Sequence, residues 1–316
     1  MTDKVFTLNS RPHLVAIVGP TAVGKTEIAI QIAERLEAEI VSADSRLLYR
    51  GMDIGTAKPS KADRSRVPHL LIDVADPDEP WSLAVFQKAA ARAISDIHGR
   101  GRLPILVGGT GQYLRAICEG WTPPKLAPRP KLRAALAAWE GEIGKEEIHR
   151  RLALLDPEAA KHIDSRNARR TLRALEVIIS TGRRFSDQRR RQGSPYRELQ
   201  VGLARPRPEL YDRIDTRIQA MLDTGWLDEV HTLLAKGYDP ELPSMSAIGY
   251  AQLSAHLRGE LSLEEAVAEI KRKTRLFVRR QASWFKPTDP NIHWFEAGRK
   301  DVVQAIQRLI AKFLKA

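Results

Sequence analysis

The 316 residues predict an α/β fold: a parallel sheet flanked by helices, with a small all-helical insertion domain. Short apolar, β-branched runs alternate with stretches of helical spacing in the first third of the chain, as in a parallel sheet. A glycine-bearing loop follows the first of those runs and opens a helix. A proline-rich break then introduces a long stretch with helical spacing and no strand signal.

Leu14–Gly19 (LVAIVG) has the composition of a strand buried on both faces, and Thr26–Leu36 has the spacing of a helix. Glu39–Ala43 reads as a second strand and Leu70–Val74 as a short third. Ser82–His98 reads as a helix that Gly99-Arg100-Gly101 closes. Leu103–Val107 is a further buried strand, with Gly108-Gly109-Thr110-Gly111 as the turn after it. The proline-rich run 122–130 marks a boundary, Lys131–Ile179 is helical, and Gly193-Ser194-Pro195 marks a second boundary. Leu199–Leu203 resumes strand character, and 208–316 reads as almost wholly helical. The expected organisation is a first core segment at 1–123, a helical insertion at 124–198 and a core completion at 199–316.

An apolar fraction of 43% suits a chain that buries a core, and no apolar run approaches the ~18 residues of a membrane span. Met1–Pro12 has no apolar export segment, and Cys118, the sole cysteine, excludes an internal disulfide, so a cytoplasmic location without membrane contact is expected. A monomer is the default expectation. No Cys/His set has zinc spacing. The formal charge of +12 points to an anionic partner. Nine arginines against three acids between Asp164 and Arg191 concentrate that charge. Arg166, Arg169, Arg170 and Arg173 would form a stripe along a helix, as on a phosphate-backbone surface.

Gly19-Pro20-Thr21-Ala22-Val23-Gly24-Lys25-Thr26 matches the P-loop pattern. In such a loop backbone N–H groups and the positive end of the following helix hold phosphate oxygens. Lys25 bridges terminal phosphates, and the Thr26 hydroxyl is suited to Mg²⁺. The sheet is therefore expected to be P-loop NTPase-like, with a phosphorylated ligand not specified by the loop itself. Asp44-Ser45 and Thr110 each follow a predicted strand, and the carboxyl ends of parallel strands share one crevice. From spacing alone Asp44 is a Mg²⁺ ligand, a general base or a helix cap. His69 reads as a structural histidine. The tryptophans read as packing residues, except Trp121, which is placed to line a tunnel.

Several blocks resemble the tRNA dimethylallyltransferases of bacterial type: 19–26, 44–59 (DSRLLYRGMDIGTAKP), 68–73 (PHLLID), 106–114 (LVGGTGQYL), 167–176 (NARRTLRALE), 211–217 (YDRIDTR), 245–250 (MSAIGY) and 280–285 (RQASWF). They run in order along nearly the whole chain. Kinases that share the P-loop lack the 44–59 block. Val23 stands where Ser or Ala is usual, and Ala251 where a basic residue is usual.

The resemblance implies transfer of a dimethylallyl group from dimethylallyl diphosphate to the N6 amine of adenosine 37 of tRNA, with Mg²⁺ as cofactor. It implies Asp44 as general base, Thr110 and Arg217 at the reacting diphosphate, and Gly19–Thr26 with Arg213 as the diphosphate site. It carries tRNA contacts onto Asp44, Ser45, Arg46, Leu47 and Thr110, onto Arg169, Arg170, Thr171, Leu172 and Arg173, and onto Arg133. A last set falls on Met245, Ser246, Ala247, Ile248, Gly249 and Tyr250.

Overall fold

The structure, a computed structural model, describes residues 11–124, 126, 129–188, 190–191 and 193–316, and only the backbone of Arg190 and Arg191. Residues 1–10 of the Met1–Pro12 stretch read as free of an export segment, and Arg189 of the arginine cluster, fall outside the described residues. The chain divides into two compact units, one formed by the chain up to Cys118 together with Ser194–Ala316, the other by Glu119–Gly193. The insertion thus begins and ends five residues earlier than the composition break at 124–198 indicates.

The first unit opens with β1 (His13–Val18), α1 (Lys25–Leu36), β2 (Glu39–Ser42), α2 (Lys61–Arg66), β3 (His69–Leu70), α3 (Leu83–Gly99), β4 (Pro104–Gly108) and α4 (Gly111–Cys118). Leu14–Val18 are all buried, as expected of a strand covered on both faces. Ser82 caps α3 by accepting from the Val85 N–H. The predicted third strand stops at Leu70 because Leu71 and Asp73 adopt left-handed φ values of 63° and 55°.

The second unit contains β5 (Trp121–Thr122), α5 (Pro130–Ile143), α6 (Lys145–Leu155), α7 (Pro157–His162), α8 (Ala168–Thr181), α9 (Phe185–Gln188) and β6 (Arg190–Arg191). It is therefore not purely helical: β5 and β6 form a short antiparallel pair. Its core is separate and small, built on Leu136, Ile148, Leu152, Ala159, Ile163, Ala174 and Leu175. The two ends of the unit meet so closely that a Cβ on Gly120 would lie 2.0 Å from the Gly193 carbonyl oxygen.

The chain returns to the first unit as β7 (Arg197–Ala204), α10 (Arg207–Asp223), α11 (Trp226–Ala235), α12 (Tyr250–Leu257), α13 (Leu263–Trp284), β8 (Ile292–Glu296) and α14 (Val302–Lys315). The six-stranded sheet has the order β3-β2-β4-β1-β7-β8, every pair parallel. β8 corrects the helical reading of 208–316. Only one of its five residues, Ile292, is buried, so the two-sided apolar signature of the central strands is missing. No helix of the described residues is long and apolar enough to cross a membrane. In this order β1 lies between β4 and β7, and the chain leaves β1, β2 and β4 at the same end of the sheet.

Candidate active site

The Gly19–Lys25 turn leaves β1 and enters α1 through Gly24, whose φ of 105° is closed to residues with a side chain. Gly24 is also the N-cap and has no side chain to satisfy the first N–H groups of α1, which favours an anion there. Cations occupy the carbonyls of the loop. The Lys25 ammonium donates to Gly19 O at 3.1 Å and Pro20 O at 2.7 Å. Arg213 donates to Ala22 O at 2.8 Å and Arg205 to Val23 O at 3.0 Å.

Over this loop opens a cavity of about 690 Å³. Thr21, Ala22, Gly24, Lys25 and Thr26 form one wall, and Ser42, Asp44 and Leu47 line it from the end of β2. Val107 and Gly108 of β4 complete its floor. α10 faces it with Glu209, Asp212, Arg213, Thr216, Arg217 and Ala220, at helical spacing, while Leu210, Ile214 and Ile218 on the other face are buried in the core. Burial pushes the Lys25 ammonium down to about 8, the Asp44 charge opposing and the Arg217 charge adding to the shift. Burial also lowers Arg217, again against Asp44 and with Arg213. Lys25, Arg217 and Asp44 therefore share one electrostatic environment.

Asp44 caps no helix, because a turn follows β2. Its carboxylate accepts from the Arg46 N–H at 2.9 Å, an Asx turn that fixes the side chain at the end of the strand. The Ser45 N–H donates to Thr110 Oγ1 at 3.1 Å, tying the β4 turn to the residue after Asp44. The Arg46 guanidinium donates to Pro243 O at 2.6 Å and Ser244 O at 3.1 Å. The P-loop, Asp44, Arg213 and Arg217 thus line one cavity, and Thr110 is hydrogen-bonded to its edge.

The remaining expected contacts divide by exposure. Arg169 and Arg170 are exposed on α8, whereas Thr171 is buried and Leu172 packs on the core of the insertion. The buried Glu176 carboxylate accepts from Arg133 at 2.8 Å and from Arg173 at 2.6 Å. Arg166 pairs with Asp164 at 2.8 Å. The arginine stripe is therefore partly neutralised by its own acids. In the 245–250 block Met245, Ala247 and Tyr250 are buried, and Ser246 is exposed. The Tyr250 hydroxyl donates to Glu229 at 2.6 Å, which also accepts from the Asp53, Ile54 and Gly55 N–H groups at 2.8, 2.7 and 3.2 Å.

His69, read as structural, lines the cavity. Its Nδ1 is 2.7 Å from Val67 O, its Nε2 is buried without a partner, and burial holds its pKa below the usual value. Lys58 also lines the cavity, its ammonium held by Asp53, Asp73 and Tyr49 O. Trp121 is not among the lining residues, and its indole N–H donates to Glu119 at 2.7 Å. Gln281, on α13, reaches the P-loop from 260 residues away in sequence, by accepting from the Thr21 N–H at 2.8 Å.

The chain matches the IPP transferase family model over residues 47–288 and that of Isopentenyl transferase over residues 12–73. It is 50% identical over 303 residues to the tRNA dimethylallyltransferase of Roseiflexus sp. (strain RS-1), covering 96% of this chain and 99% of that one. Among solved structures it resembles the tRNA isopentenylpyrophosphate transferase of Bacillus halodurans, with a TM-score of 0.72, 41% identity and coverage of 96% and 97%. A eukaryotic dimethylallyltransferase acting on tRNA superimposes with a TM-score of 0.78 at 26% identity, covering 95% of this chain and 78% of that one. With the P-loop, the acidic strand end and the two arginines of α10 around one cavity, and with similarity along nearly its whole length, the chain belongs to the IPP transferase family.

Proposed function

We propose that the chain transfers the dimethylallyl group of dimethylallyl diphosphate to the N6 amine of adenosine 37 of tRNA, beside the anticodon, giving N6-isopentenyladenosine and diphosphate. The observation that carries this reading is the convergence of a phosphate-binding loop, a carboxylate and two arginines on one cavity in a member of this family. An adenine amine is a weak nucleophile, because its lone pair is delocalised into the ring. Asp44 accepts its proton as the new C–N bond forms, a contribution of roughly 10²–10⁴-fold. The C–O bond to the diphosphate breaks, and that bonding pair leaves on the diphosphate.

Lys25, Arg213, Arg217 and the loop amides receive the charge that develops there. For Lys25 this means leaving the carbonyls of Gly19 and Pro20 when the anion enters. Mg²⁺ suits the same place: the Thr26 hydroxyl, which lines the cavity, would hold it, and this ion keeps several waters and takes phosphate oxygens as ligands. No group of three or more His, Cys, Asp or Glu suited to a metal occurs among the described residues, so a bound ion would depend on the diphosphate for further oxygens. When bound there, Mg²⁺ would supply charge neutralisation for the diphosphate leaving group. The target base leaves its stack to reach the cavity, which costs less in an anticodon loop than in a duplex. The exposed Arg169 and Arg170 hold the RNA backbone.

The test is incubation with dimethylallyl diphosphate, Mg²⁺ and an anticodon stem-loop, followed by mass spectrometry of the nucleosides. Isopentenylated adenosine is expected, and replacing the donor with ATP is expected to give no phosphoryl transfer. Phosphoryl transfer from ATP without prenylation overturns the reading in favour of a kinase.

A further inference from the structure

Two sequence blocks, 106–114 and 280–285, meet on one side chain that the reaction as described does not use. Gln281 on α13 is 4% exposed. Its carboxamide oxygen accepts from the Thr21 N–H at 2.8 Å, and its nitrogen donates to Gly109 O at 2.9 Å. The orientation of the amide follows from its neighbours, since a backbone N–H only donates and a carbonyl only accepts. A Cβ on Gly109 would lie 2.3 Å from the carboxamide nitrogen, so the turn approaches the side chain as closely as a glycine permits. One helical turn further on, Trp284 fills the space in which a Gly111 Cβ would lie 2.2 Å away, and its carbonyl accepts from Arg115 at 2.6 Å. The end of α13 therefore grips both ends of the β4 turn that carries Thr110.

We propose that Gln281 is a positioning residue, which fixes the distance between the diphosphate cradle and the Asp44 side of the cavity. The inference rests on the prenyl-transfer reading. The link is continuous: Thr21 to Gln281, Gln281 to Gly109, the chain to Thr110, and Thr110 to the Ser45 N–H beside Asp44. Only a neutral side chain with both a donor and an acceptor serves both backbone groups. A glutamate lacks the donor that Gly109 O requires, and a lysine lacks the acceptor that the Thr21 N–H requires. Rate is sensitive to this distance, since a misplacement of about 1 Å between reacting groups can lower turnover by about 10²-fold.

The test compares the unaltered chain, Gln281→Met, Gln281→Glu and Ile270→Val, the last a buried control about three turns earlier on the same helix. Gln281→Met is expected to lower kcat about 10–100-fold and to weaken binding of inorganic diphosphate, with tRNA affinity changed by less than about twofold. Gln281→Glu, which keeps the acceptor for Thr21 and loses the donor for Gly109, is expected to lower kcat likewise. Ile270→Val is expected to lower Tm and leave kcat unchanged. Either Gln281 variant with unaltered kcat and donor KM overturns the proposal, as does an equal loss of kcat in Ile270→Val at a matched loss of Tm. Failure of the unaltered chain to prenylate would instead count against the function proposed above.

Discussion

Asp44 and Lys25 face a shared cavity and carry opposite predictions. Replacing Asp44 by Asn removes the proposed proton acceptor and keeps the shape, so single-turnover rates are expected to fall by about 10²–10⁴-fold. Binding of diphosphate, measured by calorimetry, is expected to persist, because the loss of a negative charge does not repel an anion. For Lys25 the sign follows from its depressed pKa of about 8. The free enzyme carries the ammonium below that pH and loses it above, so kcat/KM for the donor is expected to fall as pH rises through about 8. In Lys25→Arg that limb is expected to vanish, since a guanidinium stays charged. The same limb retained in Lys25→Arg sinks the assignment. Lys25 and Asp44 were legible in sequence because both lie at short, fixed offsets from a strand. Gln281 lies in the 280–285 block, but its contacts were not legible, because its partners lie at least 172 residues away.

Among the elements, the loop at 53–55 owes its shape to one side chain on α11. Glu229 accepts three successive N–H groups and the Tyr250 hydroxyl, and the loop leads straight into Thr56–Pro59 on the cavity wall. Glu229→Ala is expected to lower stability by about 2–3 kcal/mol in urea titration, because backbone donors lose a charged acceptor. It is also expected to raise the donor KM. Unchanged stability would show that water replaces the carboxylate without loss. The Glu229 contact recasts the 245–250 block: the resemblance marked it as an RNA surface, yet Tyr250 is buried on α12 against the loop it helps to hold. Strands β1, β2 and β4 were readable because burial on both faces demands apolar runs. β8 was not, since an edge strand with one buried residue in five leaves no such run. The end of β3 was hidden by backbone conformation, because LLID gives no warning of left-handed Leu71 and Asp73.

For the whole molecule, the excess positive charge divides into ion-paired and open arginines. Arg133, Arg166 and Arg173 are paired with acids, whereas Arg169 and Arg170 are exposed on α8. Arg169→Ala/Arg170→Ala is expected to weaken tRNA binding and to reduce the slope of log K against log salt by about 1 for each lost phosphate contact. An unchanged slope would place the RNA elsewhere. Sequence counts overstated the open charge of 164–191, since Glu176 is within three residues of Arg173 in sequence while its second partner, Arg133, is brought to it only by folding.

The position of β1 in the sheet has a consequence for how the chain is made. β1 emerges first from the ribosome, yet one of its two hydrogen-bonded neighbours is β7, with His13 opposite Arg197. At about 5–20 residues per second, roughly 10–40 s of synthesis separate those strands. Throughout that interval the nascent chain carries an open apolar strand edge of the kind that recruits other chains. The yield of native protein is therefore expected to respond to translation speed and chaperone supply as well as to the final stability of the sheet.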